Sequence, residues 1–268
     1  MRAITYGLAS DATARYLAVG ASGAMYYGTD GLAWTAVAGT ERPDLNGAMY
    51  GLSKFFAVGN AGTILYSSDL ATWTAATTNT TSRLNAAAYN GGLMVAVGDS
   101  GTIRTSLDGL TWTAATTVPT TANLYSVAYS GGGFWMAVGD AGTLLTSTDG
   151  LTWAAVRSGS TANLRAVGVQ YYTSYTYVAV GSGGVVLTSV DGTTWTSQTL
   201  SPAADLKALT ASSSQFVIAG SGGAVFTSPT GSTWTLQTSG TTADLQALTY
   251  VQSKLLAIGK NGTSVYSL

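Results

Sequence analysis

The segments Leu17–Gly23 (LAVGASG), Phe56–Gly62 (FAVGNAG), Val95–Gly101 (VAVGDSG), Met136–Gly142 (MAVGDAG), Val178–Gly184 (VAVGSGG), Val217–Gly223 (VIAGSGG) and Leu256–Gly262 (LAIGKNG) are seven copies of one phrase. Each is a short apolar run that ends in Gly, takes a two-residue step and reaches a second Gly. The first glycines, Gly20, Gly59, Gly98, Gly139, Gly181, Gly220 and Gly259, are spaced by 39, 39, 41, 42, 39 and 39 residues. A period near 40 accommodates four short strands and their turns, the unit of a propeller blade.

Around this phrase each repeat reads as four strands. Strand a is like LNAAAY (Leu84 to Tyr89), apolar on both faces. Strand b is the continuous apolar run, as expected of a central strand covered on both sides. Strand c is like GTIRTS, and strand d starts at the Trp of TWTAA. The Gly-x-x-Gly step between b and c is expected to be a tight turn whose glycines supply positive φ. The fold class that follows is all-β: a seven-bladed β-propeller of four-stranded antiparallel blades. One domain spans 1–268, with blades starting near Met1, Leu45, Leu84, Leu124, Leu164, Leu206 and Leu245. Blades diverge from an axis, so small residues belong inside and bulky ones at the rim. Ala crowds the inner strands, and Trp34, Trp73, Trp112, Trp153, Trp195 and Trp234 open the outer one as structural wedges.

The link between strands c and d reads SLDGLTW (Ser106 to Trp112), STDGLTW (Ser147 to Trp153) and SVDGTTW (Ser189 to Trp195), with weaker copies GTDGLAW, SSDLATW and SPTGSTW. It resembles the BNR or Asp-box repeat of sialidase-like propellers, with one residue fewer between Asp and Trp than the family pattern, and the chain is also similar to photosystem assembly-factor propellers. The resemblance implies a propeller fold, with these loops on the rim away from the ligand face. Physically, Asp30, Asp69, Asp108, Asp149 and Asp191 are expected to accept hydrogen bonds from backbone N–H groups of their own turns, with Thr230 in the sixth copy.

Composition narrows the function. Only 9% of residues are charged and the formal net charge is -1, with no basic run, so nucleic acid is excluded as a partner. Histidine and cysteine are both absent, which removes thiolate metal sites, disulfides and the usual acid-base residue near neutral pH. No cofactor or metal is expected. No apolar run reaches the roughly 18 residues of a membrane span, and no export signal is visible. The sialidase resemblance would require an arginine cluster, whereas Arg2, Arg15, Arg42, Arg83, Arg104, Arg157 and Arg165 recur in no motif. A glycosidase needs two facing carboxyl groups; Asp99 and Asp140, in equivalent turns of adjacent blades, could qualify, but the favoured reading is that Asp simply suits such turns, as Asn60 does in the neighbouring copy. The sequence therefore reads as a non-catalytic recognition or scaffold module binding glycan or protein, on a virion appendage or an extracellular surface. A cytoplasmic location stays open, and a sialidase-like hydrolase is the alternative.

Propellers commonly bind ligands where the d–a and b–c loops surround the channel. The position after the first residue of each strand a gives a polar or amphipathic ring: Arg2, Asn46, Asn85, Tyr125, Arg165, Lys207 and Gln246. Outside it lie Asp44, Arg83, Asn123, Asn163, Asp205 and Asp244, and the two rings read either as a hydrated channel mouth or as convergent donors and acceptors for a ligand. The long a–b segment of the fifth repeat brings together Tyr171, Tyr172, Tyr175 and Tyr177, which read equally as an exposed contact patch or as packing, since alternation along a hairpin would bury about half of them against neighbouring blades. Finally, Ser267 and Leu268 fall inside the seventh c–d link, so blade 7 is expected to hold three strands, with Thr263 to Ser267 an edge that is short enough to tolerate water, the preferred reading, or at which a partner could add a strand.

Overall fold

The computed structural model describes residues 1–39, 41–171, 173–251 and 254–266. It is a seven-bladed β-propeller. Six sheets have four antiparallel strands joined in sequence order, and the seventh has three. Blade 3 shows the plan: strand a Leu84–Tyr89, b Met94–Gly98, c Ile103–Ser106 and d Thr113–Ala114. The innermost strands of the others are Ala3–Leu8, Leu45–Gly51, Leu124–Tyr129, Leu164–Tyr171, Leu206–Ala211 and Leu245–Val251. Strand b is the buried heart of every blade, as in Met94–Gly98, where all five residues are buried. Blade 7 continues through b Lys254–Gly259 and c Ser264–Tyr266; Ser267 lies outside the described residues.

The core consists of the wedges between blades. Trp112 and Trp153 are fully buried, while Trp34, Trp73, Trp195 and Trp234 are half-buried. Each packs between the preceding blade and its own: Trp112 between Phe56 of blade 2 and Met94 of blade 3, Trp153 between Val95 of blade 3 and Trp135 of blade 4. Indole N–H groups donate back into their own loops, Trp112 to the Gly109 carbonyl at 3.1 Å and Trp153 to Gly150 at 3.0 Å, so burial leaves no orphan donor. The ring closes the same way. Trp34, Ile4 and Tyr16 of blade 1 pack with Leu256 and Ile258 of blade 7.

The c–d loops are locked from within. Asp108 Oδ1 accepts N–H bonds from Leu110 (2.8 Å) and Thr111 (3.0 Å) and the Ser106 hydroxyl (2.9 Å), while Ser106 Oγ accepts the Gly109 N–H. Asp69, Asp149 and Asp191 repeat this arrangement. Asp30 keeps the two backbone bonds, and in the sixth copy Ser228 Oγ still accepts the Gly231 N–H. Backbone donors on the charged form hold these carboxyls below the ordinary range, the Asp149 group at about 2 through Thr152 and Leu151.

The b–c turn departs from expectation. Its first glycine is extended (Gly98 φ -163°, ψ -161°), and left-handed φ falls instead on the second and third residues after it, such as Ser100 (φ 55°) and Gly101 (φ 67°). This is a type I′ hairpin turn. The first glycine is required for space: a Cβ on Gly98 would overlap the Arg83 carbonyl, and the same clash arises at Gly59, Gly139, Gly181, Gly220 and Gly259.

Replacing Trp112 with Ala removes a wedge that cannot refill and should lower unfolding free energy by about 3–5 kcal/mol in urea titration. A second expectation concerns acid. A carboxyl whose folded pKa lies below its unfolded value stabilises the fold above about pH 4, and the effect fades as pH falls toward 2. The Asp149 carboxyl should titrate near pH 2 by NMR, and Asp149→Asn should flatten the acid limb of the stability curve.

Candidate functional site

The face carrying the d–a loops and b–c turns holds most of the charged network. In blades 2 to 7 the pairing of strands a and b slips by one residue at its start: Leu84 pairs with Gly98, but Ala86 pairs with Val97. The skipped residues are Asn46, Asn85, Tyr125, Arg165, Lys207 and Gln246, and Arg2 precedes strand a of blade 1. The polar ring is thus a ring of β-bulges, a device that takes a side chain out of the alternation of its strand and re-aims it.

Several ring members meet across blade boundaries. Arg2 Nη1 donates to Asn46 Oδ1 (2.7 Å) and pairs with Asp44 (2.9 Å). Asn46 Nδ2 reaches Asn60 Oδ1 (3.1 Å) and the Leu84 carbonyl (3.0 Å), and Arg83 Nη2 donates to Asn46 Oδ1 (3.3 Å). Asn85 Nδ2 spans Asp99 Oδ1 (2.9 Å) and the Leu124 carbonyl (2.8 Å); its buried Oδ1 has no partner among the described residues. Tyr125 donates its hydroxyl to Asp140 (2.7 Å) beneath the Arg165 guanidinium, which lies 4.0 Å from the ring centroid. Burial, and then the bond to Asp140, raise the Tyr125 pKa. Lys207 pairs with Asp244 (2.9 Å), as does Lys260 (2.7 Å), and these two ammonium groups hold the Asp244 carboxyl well below the usual range. Gln246 is half-buried and forms no hydrogen bond among the described residues.

The outer ring has a task that the sequence did not reveal. Asp44, Asn123, Asn163, Asp205 and Asp244 each turn Oδ1 onto the backbone N–H of the preceding blade's turn, at Ser22 (2.7 Å), Ser100 (3.0 Å), Ala141 (2.9 Å), Gly183 (3.0 Å) and Gly222 (3.0 Å). These residues are clips between blades. The backbone carbonyl of each clip residue meanwhile accepts the first N–H of its own blade's turn, as Asp44 does from Asn60 (2.9 Å). The spacing of 22 or 23 residues between turn and acceptor is the available signal, and it emerges only once blades are stacked. Arg83 breaks the series, since it has no acceptor for Ala61.

At Asp99 and Asp140 the carboxylates are engaged as acceptors: Asp99 Oδ1 takes the Asn85 amide, and both oxygens of Asp140 are bonded, to Asn123 and Tyr125. Of the tyrosine patch on the opposite face, Tyr177 is buried against Phe134 (ring centroids 5.2 Å apart) and Tyr175 stacks on it. Tyr171 is 61% exposed, and Tyr172 lies outside the described residues. Among the described residues no helix is long and apolar enough to cross a membrane.

No family model and no curated protein matches the chain. Solved structures do. The chain is similar to YCF48 bound to D1 peptide (17% identity, TM-score 0.75, covering 95% of this chain and 88% of that one) and to the WD40 β-propeller domain of Doa1 (8%, 0.78, 99% and 92%). It is also similar to virginiamycin B lyase from Staphylococcus aureus (10%, 0.72, 83% and 83%). At these identities the likeness shows the fold.

Giving Ala61 an acceptor through Arg83→Asn should raise stability by about 0.5–1.5 kcal/mol, the net worth of one hydrogen bond, and Asn123→Ala should lower it by a similar amount. Thermal and urea unfolding of the two variants checks both signs.

Proposed function

We propose that the chain is a non-catalytic recognition propeller whose bulge-lined mouth binds a protein segment through that segment's carboxylates. One observation carries the reading. Arg83 and Arg165 are held in place by Asn46 and by the Tyr125 ring, yet neither has a carboxylate within 4.0 Å among the described residues. The carboxylates of the mouth, Asp44, Asp99, Asp140, Asp205 and Asp244, are by contrast already supplied with donors. The charge left without a counter-charge at the mouth is therefore cationic and forked, the geometry that takes carboxylates bidentately.

The YCF48 structure, of similar fold, holds a peptide, which supports a protein ligand. The engagement of Asp99 and Asp140 as structural acceptors supports binding over hydrolysis. A glycan is the competing ligand. Sparse charge and a Thr, Gly and Ala rich surface support a place in an exterior assembly, such as a virion appendage or cell surface.

Arrays of 12-residue peptides with zero to four acidic residues, and with free or amidated C-termini, would be probed alongside a glycan array. Signal should climb with carboxylate count, fall with added salt, and drop at least tenfold in Arg83→Asn/Arg165→Ala without loss of melting temperature. Peptide binding indifferent to carboxylates would overturn the proposal. So would a glycan signal lost in the double variant with no peptide bound.

A further inference from the structure

In blades 1 to 6 the residue four positions after the wedge Trp, where strand d gives way to the d–a loop, is Ala38, Thr77, Thr116, Arg157, Thr199 or Thr238. Only blade 4 places a charge there. Arg157 is exposed and forms no hydrogen bond or ion pair among the described residues. It lines a cavity of about 470 Å³ on the outer part of the mouth face, between Pro119 and Thr120 of the blade 3 d–a loop and Thr143 and Leu145 of blade 4. Among the described residues no carboxylate lines that cavity, and the Thr143 and Thr161 hydroxyls on its wall form no hydrogen bond. The corresponding groove of blade 6 has the opposite character, with Asp205 on its wall and no cation among the described residues.

The loop that starts at Arg157 crosses the mouth face inward. It passes through Asn163, which accepts the Ala141 N–H of blade 4 at 2.9 Å, and reaches Arg165 on the innermost strand. Arg165 leans back over blade 4, its guanidinium 4.0 Å from the Tyr125 ring centroid. The two arginines therefore stand at the outer and inner ends of one blade edge, and the carboxylate between them, Asp140, already has a donor on each oxygen. Sheet strands lie about 4.8 Å apart, so the three steps from strand d to strand a separate those ends by about 14 Å. An extended chain rises about 3.3 Å per residue and covers that distance in about four or five residues.

We propose that the acidic segment taken at the mouth lies extended along this edge of blade 4, with one carboxylate on Arg165 and a second, four or five residues away, on Arg157. The inference rests on the reading of the mouth as a carboxylate site and adds to it a direction and a spacing. Charge selects the direction. The groove over blade 4 offers a forked cation without a counter-charge, whereas the groove over blade 6 would set Asp205 against an acidic segment. Spacing supplies the discrimination. Once one carboxylate is held on Arg165, the second meets Arg157 as an intramolecular event, and that gain vanishes when the span between the two acids does not match the span between the arginines. The Thr143 and Thr161 hydroxyls line the path and are free to bond the main chain of the segment.

The probes are amidated 12-residue peptides of Gly, Ser and Thr that carry two glutamates one, two, four, five or eight positions apart, titrated into the full chain by fluorescence anisotropy. The peptides with spacings of four and five should bind at least fivefold more tightly than the others. Arg157→Thr, which installs the residue found at this position in four other blades, should erase that preference and leave every peptide at the affinity of the poorly spaced ones, with the melting temperature unchanged. In the unaltered chain the best peptide should shift the amide resonances of Gly159 and Thr161 and leave Ser221 to Gly223 of blade 6 in place, a readout that needs no variant. Binding that depends on the glutamates but ignores their spacing overturns the proposal and leaves the mouth reading standing. A spacing preference that survives Arg157→Thr, or shifts over blade 6 in place of blade 4, overturns it equally. Binding that ignores the glutamates altogether overturns the mouth reading and this inference with it.

Discussion

The close approach at the end of strand b governs the face that carries the d–a loops and b–c turns. At Gly59, Gly98, Gly139, Gly181, Gly220 and Gly259 the carbonyl of the residue before strand a lies where a Cβ would be. That carbonyl accepts the next N–H of the turn, as Arg83 does from Asp99 at 2.9 Å. Strand a can meet this bond and still pair with strand b only by taking up one extra residue, which is the bulge. The bulge lifts Asn46, Asn85, Tyr125, Arg165, Lys207 and Gln246 out of strand alternation, and the residue just before each strand a is left beside the preceding blade's turn. Ring, clip and turn are consequences of one contact that only glycine permits.

The opposite end of each blade solves a different problem with different chemistry. Blades separate toward the rim, and indoles resting on Leu17, Phe56, Val95, Met136, Val178 and Leu256 fill the gap. An indole can do this only if the c–d loop presents it at a fixed height. The Ser and Asp of the loop set that height by consuming its backbone donors, as Ser106 and Asp108 do with Gly109, Leu110 and Thr111. Because those bonds are internal to the loop, the lock is repeated blade by blade without reference to neighbours.

That locality explains what could be read from the sequence. Blade count, strand order, the wedge tryptophans and the Asp-centred loops all depend on residues within one period, and a period near 40 declares itself in seven glycine phrases. The bulge ring was visible as a polar position, Asn46 or Arg165, amid apolar neighbours, but its cause was not, since a one-residue slip leaves no mark on composition. The interblade bonds of Asp44, Asn123, Asn163, Asp205 and Asp244 were not legible, because their partners lie on the preceding blade. The turn glycines were legible as glycines, yet the reason for the first was a steric contact with another strand, and part of the left-handed burden fell on Ser22, Ala61, Ser100, Ala141 and Asn261. Among the fifth-repeat tyrosines, no local pattern could say that Tyr177 would be covered by Phe134 of the neighbouring blade.

The two solutions divide the molecule by how its polar groups are spent. On the c–d face each Asp is satisfied by its own loop, and the neighbouring blade is reached through the Trp that the loop presents. On the mouth face the same side chain serves two blades, as Asp244 does by receiving Gly222, Lys207 and Lys260 at once. Side chains held by several partners lose their rotamer freedom during folding, so a ligand that meets Arg165 over Tyr125 or Arg83 on Asn46 does not bear that cost on binding. The bonds that tie one blade to the next therefore also pre-organise the mouth, and this is the physical reason to look for recognition on that face.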